Sequence, residues 1–234
     1  MVSFDDKNRL TNIIKGIVVI LLYFIVSLCS RLPLDLLGIN YYDLSLIIRI
    51  IYSVSVELIL IAAIILIFKD EYKKAFADIK KNHLSYFKGN LKYYLLGVII
   101  MMLSNSLIMV LGGGTSDNET AIRSQFGIAP IYTYISAVFL APVLEESVFR
   151  LGFRNIFKNK LFFVVMSSLV FGGLHLTGML GDPLMPLYLV AYCSCGVAFA
   201  YIMMKTNNIF VSMGFHFMHN GILMSMQLFV LLFG

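Results

Sequence analysis

Long apolar segments restrict how this chain can fold more than any other feature of its sequence. A helix that crosses a bilayer needs roughly 20 mostly apolar residues. Seven segments are about that long: Asn12–Ser30, Leu46–Phe68, Tyr93–Leu111, Ile131–Phe153, Leu161–Leu180, Met185–Met204 and Ile209–Phe233. They lack the period-2 alternation of barrel strands, so each is predicted to be a helix.

The composition agrees with a membrane protein. Of 234 residues, 59% are apolar and 13% are charged, against about 45–50% and 25% in an average soluble domain. These values exclude a disordered chain, a coiled coil and an ordinary soluble enzyme. The sequence therefore predicts an all-α fold, a polytopic membrane helical bundle of about seven transmembrane helices that forms one domain over residues 1–234.

Basic residues are concentrated on one side of the apolar segments. Lys7, Arg9 and Lys15 lie before or at the start of the first segment, and a run of lysines fills the predicted loop Asp70–Lys92. Because cytoplasmic loops carry the excess of lysine and arginine, the N-terminus is predicted to be cytoplasmic and the C-terminus to lie outside. The same rule accounts for the net charge of +5, which therefore does not indicate a nucleic-acid partner. The expected partner is the lipid bilayer. The predicted location is the cell membrane.

Two further segments carry expectations. The outer loop Gly112–Ala129 opens with three glycines and is polar, so we expect it to be mobile. The lysines of Asp70–Lys92 are expected to face anionic lipid at the membrane surface.

The last four apolar segments contain polar side chains that are costly in hydrocarbon. They are Glu145, Glu146, Arg150, His175, His216, His219 and Asn220. Glu146 and Arg150 are four residues apart, so they share a helix face and can pair. Glu145 is about 100° further round the helix. One carboxylate is therefore predicted to bind the arginine, and the other to be freer to act as a base.

This set of groups is suited to peptide-bond hydrolysis. A carboxylate can take a proton from water, an imidazole can assist, and an imidazole with a carboxamide can donate hydrogen bonds to an oxyanion. The sequence contains no recognisable serine or cysteine nucleophile motif and no H-E-x-x-H motif. Water is thus the expected nucleophile.

Three motifs carry a family resemblance. Residues 145–150 match E-E-x-x-x-R, residues 171–175 match F-x-x-x-H, and residues 216–220 match H-x-x-x-N. In this order, on successive membrane segments, they resemble the signature of the CPBP family. That family includes CAAX prenyl proteases of the Ras-converting type, bacteriocin-processing and immunity proteins, and Abi proteins. The resemblance covers residues 131–233 as a catalytic core, and residues 1–111 hold three membrane segments without family motifs.

The resemblance implies a role for each matching residue. Glu145 would activate water with help from His175, while His216 and Asn220 would form the oxyanion hole. The supporting residues would be Glu146, Arg150 and Phe171. Family members are described both as metalloproteases and as glutamate-dependent proteases, so a zinc site of Glu145, His175 and His216 is the alternative. The metal-free mechanism is favoured because Asn220 is a poor zinc ligand and a good oxyanion donor.

The expected function is an intramembrane endopeptidase that acts on a membrane-associated peptide or protein, in CAAX-type, pheromone, bacteriocin or membrane-protein processing. One alternative is a non-catalytic immunity or scaffold protein of the same family. Another is a transporter or proton relay, which the absence of a visible inverted repeat disfavours. Glu57 receives no catalytic role, and His219 is at most a supporting residue.

Overall fold

The structure, a computed structural model, describes residues 8–233; Lys7 lies outside the described residues. This part of the chain contains helices and no strand. The helices are α1 (Arg9–Cys29), α2 (Leu32–Leu36), α3 (Leu46–Ile67), α4 (Lys69–Val110), α5 (Asp117–Ile128), α6 (residues 130–156), α7 (Lys160–Leu174), α8 (Met185–Thr206) and α9 (Ile209–Phe233). The predicted all-α class is confirmed.

Five of these helices are long and apolar enough to cross a membrane: α1, α3, α4, α8 and α9. The chain is therefore a multi-pass membrane protein. The other two predicted segments are also helical, but α6 is interrupted and α7 has only 15 residues. The expected helix over Leu161–Leu180 ends early, at Leu174. The total of seven membrane spans stays a prediction.

Helix α8 is the central helix of the bundle. Of the 18 most apolar consecutive residues of α8, 56% are buried. The same stretch in each of the other four long apolar helices has 11–22% of its residues buried. It packs against α4, α7 and α9. The α4 contact is close, because a Cβ on Gly97 would lie 2.9 Å from Cβ of Ala198.

The lysine-rich segment Asp70–Lys92 is helical, not the loop that the sequence suggested. It forms the first half of α4, and Phe68 alone separates α3 from α4. Asn208, between α8 and α9, is fully buried and donates its amide N–H groups to Ala75 O and Asp78 Oδ2, both at 2.8 Å. These bonds fasten the polar half of α4 to the bundle.

The segment Gly112–Ala129 also differs from the loop that the sequence suggested. Residues 117–128 form helix α5, whose N-terminus is capped by the Ser116 hydroxyl, which accepts a hydrogen bond from Glu119 N. Capping by serine satisfies a backbone N–H that the first helical turn leaves free. The Ser116 hydroxyl also lies 2.6 Å from Tyr192 Oη on α8. Most of the segment is therefore helical and contacts the central helix, where the sequence had suggested a loop; its mobility stays a prediction.

Candidate active site

Helix α6 is irregular, and this irregularity shapes the site. It contains two π-helical stretches, Ser136–Leu140 and Glu146–Gly152, separated by the α-helical turn Ala141–Glu145. In the first stretch, Ala141 N donates to Ser136 O in the i→i+5 pattern. Ala137 O would next accept from Pro142, which has no N–H. Asn220 on α9 supplies the missing donor, with Nδ2 at 2.8 Å from Ala137 O.

Glu146 and Arg150 form the predicted ion pair. Both side chains are fully buried, and Arg150 Nε lies 3.4 Å from Glu146 Oε2. Arg150 Nη1 donates to Ser167 Oγ at 2.9 Å, and the guanidinium lies over the Phe171 ring, 4.8 Å from its centroid. Ser212 Oγ donates to Glu146 Oε2. The opposite charges balance each other in a place that water does not reach, as a buried ion pair requires.

His216 lies between the two carboxylates. Its Nδ1–H donates to Glu146 Oε1 at 3.0 Å, and its Nε2 is 3.6 Å from Glu145 Oε2. The ring stacks on Phe199, with 4.7 Å between centroids and 22° between planes. Contacts at both nitrogens and on one face therefore define the orientation of this imidazole.

Glu145 has a different environment from Glu146. Its side chain is 18% exposed, whereas that of Glu146 is 0% exposed. Its ionisable partner among the described residues is His216, whose Nε2 lies 3.6 Å away, which is too long for a hydrogen bond. Glu145 is thus the carboxylate of the pair that can reach a small molecule.

His175 lies directly after α7, where it is the C-terminal capping residue. Its Nδ1 is 2.8 Å from Phe171 O, the carbonyl one turn earlier. Phe171 lies between the two imidazoles, with its ring centroid 4.7 Å from that of His175 and 6.0 Å from that of His216. Phe171 therefore contacts residues of all three motifs, since Arg150 also packs on it.

Two side chains of the site were missed in the sequence. Tyr192 stacks on His175 with 4.9 Å between centroids and 26° between planes, and nothing in its sequence context predicts this. Ser212, which donates to Glu146, precedes His216 by four residues, as His216 precedes Asn220. This helical spacing could have placed it on the same face.

His219 and Glu57 lie outside this cluster. His219 faces α4 and α8, with Nδ1 3.4 Å from Tyr94 Oη and Nε2 3.9 Å from Cys195 Sγ. Glu57 on α3 accepts a hydrogen bond from Ser136 Oγ at 3.2 Å.

The alternative zinc set can be compared with this geometry. Nδ1 of His175 and Nδ1 of His216 are held by Phe171 O and Glu146 Oε1, so Nε2 would be the ligating atom of each ring. Within residues 8–233, no three His, Cys, Asp or Glu side chains are grouped closely enough to hold a metal ion. As arranged, Glu145, His175 and His216 do not fit a three-ligand site, and we derive no step through zinc.

The fold and the three motifs define a class, that of multi-pass membrane proteins similar to CPBP intramembrane proteases. Residues 127–222 match the family described as type II CAAX prenyl endopeptidase Rce1-like. This stretch contains all three motifs, from Glu145 to Asn220. The resemblance to CPBP family intramembrane proteases is therefore confirmed over this region.

Two bacterial relatives extend the comparison. The chain is 27% identical over 143 residues to a Bacillus subtilis protein named "Putative membrane peptidase YdiL", covering 60% of this chain and 49% of the relative. It is 43% identical over 63 residues to "UPF0177 protein YajF" of Lactococcus lactis, covering 26% of this chain and 31% of the relative. The chain thus spans about half the length of the first relative and about a third of the second. No solved structure matches the chain.

Proposed function

We propose that this protein is an intramembrane endopeptidase in which Glu145 activates a water molecule. The observation that carries the proposal is the position of His216 between two carboxylates, one buried and paired with Arg150, the other partly exposed. The family match and the relative named as a membrane peptidase support the same activity.

The proposed reaction begins with Glu145 taking a proton from water while the water oxygen attacks the peptide carbonyl carbon. His175 assists as a second base. The carbonyl oxygen becomes an oxyanion, which receives hydrogen bonds from His216 Nε2–H and the Asn220 amide. Collapse of this intermediate breaks the C–N bond, and the proton held by Glu145 passes to the leaving amine nitrogen.

The geometry supports distinct roles for the two glutamates. Glu146 accepts from His216 Nδ1 and so stabilises positive charge on the ring, as a buried carboxylate does beside a catalytic histidine.

Asn220 has two amide N–H groups. One donates to Ala137 O, which holds the amide against α6, and the second is assigned to the oxyanion.

The proposed substrate is a membrane-associated peptide or protein, of the CAAX, pheromone, bacteriocin or membrane-protein processing type. A site surrounded by membrane helices is accessible to a chain that already lies at the bilayer.

The proposal predicts that purified protein in detergent cleaves members of a fluorogenic peptide library containing prenylated and unprenylated sequences. Glu145→Gln removes the base and is expected to lower kcat by at least about 10²-fold without loss of folding. Glu119→Gln is the matched control, because Glu119 is an exposed residue of α5 paired with Arg123. Full activity in Glu145→Gln contradicts the assigned role.

The same assay compares the catalytic alternatives. Activity that survives a zinc chelator favours the glutamate mechanism, whereas loss that zinc restores would make Glu145, His175 and His216 candidate ligands. If no peptide is cleaved and Glu145→Gln still complements a knockout strain, the protein is a non-catalytic member of the family.

A further inference from the structure

A cavity lies between α1, α3 and α6, apart from the Glu145–His216 cluster. Its volume is about 290 Å³. Four tyrosines and one carboxylate contribute to its lining: Tyr23, Tyr41, Tyr52, Tyr132 and Glu57. The proposed catalytic reaction uses none of these residues, so the cavity needs a separate explanation.

Among the described residues, Glu57 has no counter-ion. Its two carboxylate oxygens lie 3.2 and 3.4 Å from Ser136 Oγ, and it forms no ion pair with any residue from 8 to 233. An ionisable residue inside a membrane segment is costly, and for that reason it commonly marks a binding or transport site. A bound cation would supply the charge that the protein itself does not place beside Glu57.

Arg31 also lines this cavity, where two tyrosine side chains engage its guanidinium. Its guanidinium carbon lies 4.9 Å from the Tyr41 ring centroid and 4.8 Å from that of Tyr42, and its Nη1 donates to Tyr42 Oη at 2.6 Å. Its charge is therefore directed to the tyrosine rings and not to the Glu57 carboxylate.

The lining has the chemistry that recognises an organic ammonium group. Tyrosine faces attract cations through the ring quadrupole, hydroxyl oxygens accept N–H hydrogen bonds, and a carboxylate balances the charge. Two hydroxyls of the lining, Tyr41 Oη and Ser53 Oγ, lie 3.1 Å from each other.

We propose that this cavity binds a primary ammonium group of the substrate peptide, with Glu57 as its counter-ion. The group is a lysine side chain or a free N-terminal amine. Leu144, the residue that precedes Glu145, lines the same cavity. A peptide anchored here would thus have its backbone close to the proposed catalytic carboxylate. The inference rests on the proposed function only in taking a peptide as the ligand.

Binding can be measured without cleavage on the full chain carrying Glu145→Gln. Three fluorescent hydrophobic pentapeptides serve as probes: an acetylated peptide with one lysine, the same peptide with norleucine, and the norleucine peptide with a free N-terminus. At least one amine-bearing peptide is expected to bind about tenfold more tightly than the acetylated norleucine peptide, and the tighter one identifies the source of the ammonium group. Equal affinities for all three peptides overturn the proposal.

A second substitution assigns the preference to Glu57. Adding Glu57→Gln is expected to remove the tenfold preference while leaving the affinity for the norleucine peptide unchanged, and adding Glu119→Gln is expected to leave both unchanged. A preference that persists in Glu57→Gln overturns the proposal.

A competition experiment needs no substitution in the cavity. On the Glu145→Gln chain, with the cavity unchanged, n-pentylamine is expected to displace the preferred peptide. n-Pentanol, which has the same length but no ammonium group, is not expected to displace it. Equal displacement by both compounds overturns the proposal. Because none of these measurements depends on cleavage, their failure is distinguishable from failure of the proposed protease activity.

Discussion

Glu146 is the motif residue whose surroundings are most completely defined. Its carboxylate meets Arg150, His216 and Ser212, and its side chain is 0% exposed. Removing one member of a buried ion pair leaves the other charge without compensation. Its neighbour Glu145 has no such network, so substitution of Glu146 is expected to reduce the stability of the fold much more than substitution of Glu145.

Glu146→Gln is expected to lower the free energy of unfolding by about 3–5 kcal/mol, because Arg150 then remains buried without its ion-pair partner. Glu145→Gln is expected to change it by less than about 1 kcal/mol, since that carboxylate is partly exposed and unpaired by hydrogen bonds. Denaturation of the purified variants in detergent measures both values. Similar stabilities for the two variants would contradict this difference.

Tyr192 is predicted to position His175 through ring stacking. Tyr192→Ala removes the stack and is expected to lower kcat about tenfold with little change in KM. Tyr192→Phe keeps the ring and loses only the hydroxyl contacts with Ser116 and Asn118, so it should retain most of the activity. Steady-state kinetics on a cleaved peptide tests the pair. Equal losses in both variants would assign the effect to the hydroxyl.

At the scale of elements, close backbone contacts hold α4 against α8 and α1 against α6. A Cβ on Gly97 of α4 would lie 2.9 Å from Ala198 Cβ and 3.0 Å from Ser194 O on α8. A Cβ on Gly16 of α1 would lie 2.6 Å from Gly152 O on α6. Small residues at such positions let helix backbones approach closely, which increases van der Waals contact in a membrane.

Gly97→Ala is therefore expected to destabilise the protein by about 1–3 kcal/mol, because the added methyl group forces α4 and α8 apart. Gly89 lies on the same helix with nothing within 4 Å of an added Cβ. Gly89→Ala is expected to be neutral or to stabilise by up to about 1 kcal/mol. Thermal denaturation in detergent compares them, and equal melting temperatures would show that the α4–α8 contact is not tightly packed.

At the scale of the whole molecule, the arrangement in the bilayer follows from the number of spans and the distribution of lysines. Five helices meet the length and hydropathy of a span, while α6 and α7 are helical but irregular or short. Short or interrupted helices can occupy membrane depth where neighbouring helices cover them. Seven crossings with a cytoplasmic N-terminus put the C-terminus outside, and six put it inside.

Reporter fusions to the C-terminus distinguish these topologies. Alkaline phosphatase fused after α9 is expected to be active, and green fluorescent protein fused there is expected to be dark, because the predicted seven-span arrangement exports this end. A fusion after residue 92 should give the opposite result. Fluorescence at the C-terminus would require an even number of crossings.

The sequence by itself determined the membrane class, the all-α fold and the set of motif residues. The length of an apolar segment and the presence of polar residues within it can be read from the sequence without knowing how the helices pack. The i, i+4 spacing was also sufficient for the Glu146–Arg150 pair, because it depends on one helix alone.

Only the tertiary structure decided which groups meet across helices. Glu146 binds His216 and Ser212 from α9, and Tyr192 from α8 stacks on His175. Asn220 donates a hydrogen bond to Ala137 O, the carbonyl of α6 that Pro142 cannot bond because it has no N–H. The end of α7 at Leu174 and the helical form of residues 69–92 also escaped prediction. The contacts between helices depend on partners distant in the chain, and no periodicity within one segment encodes them.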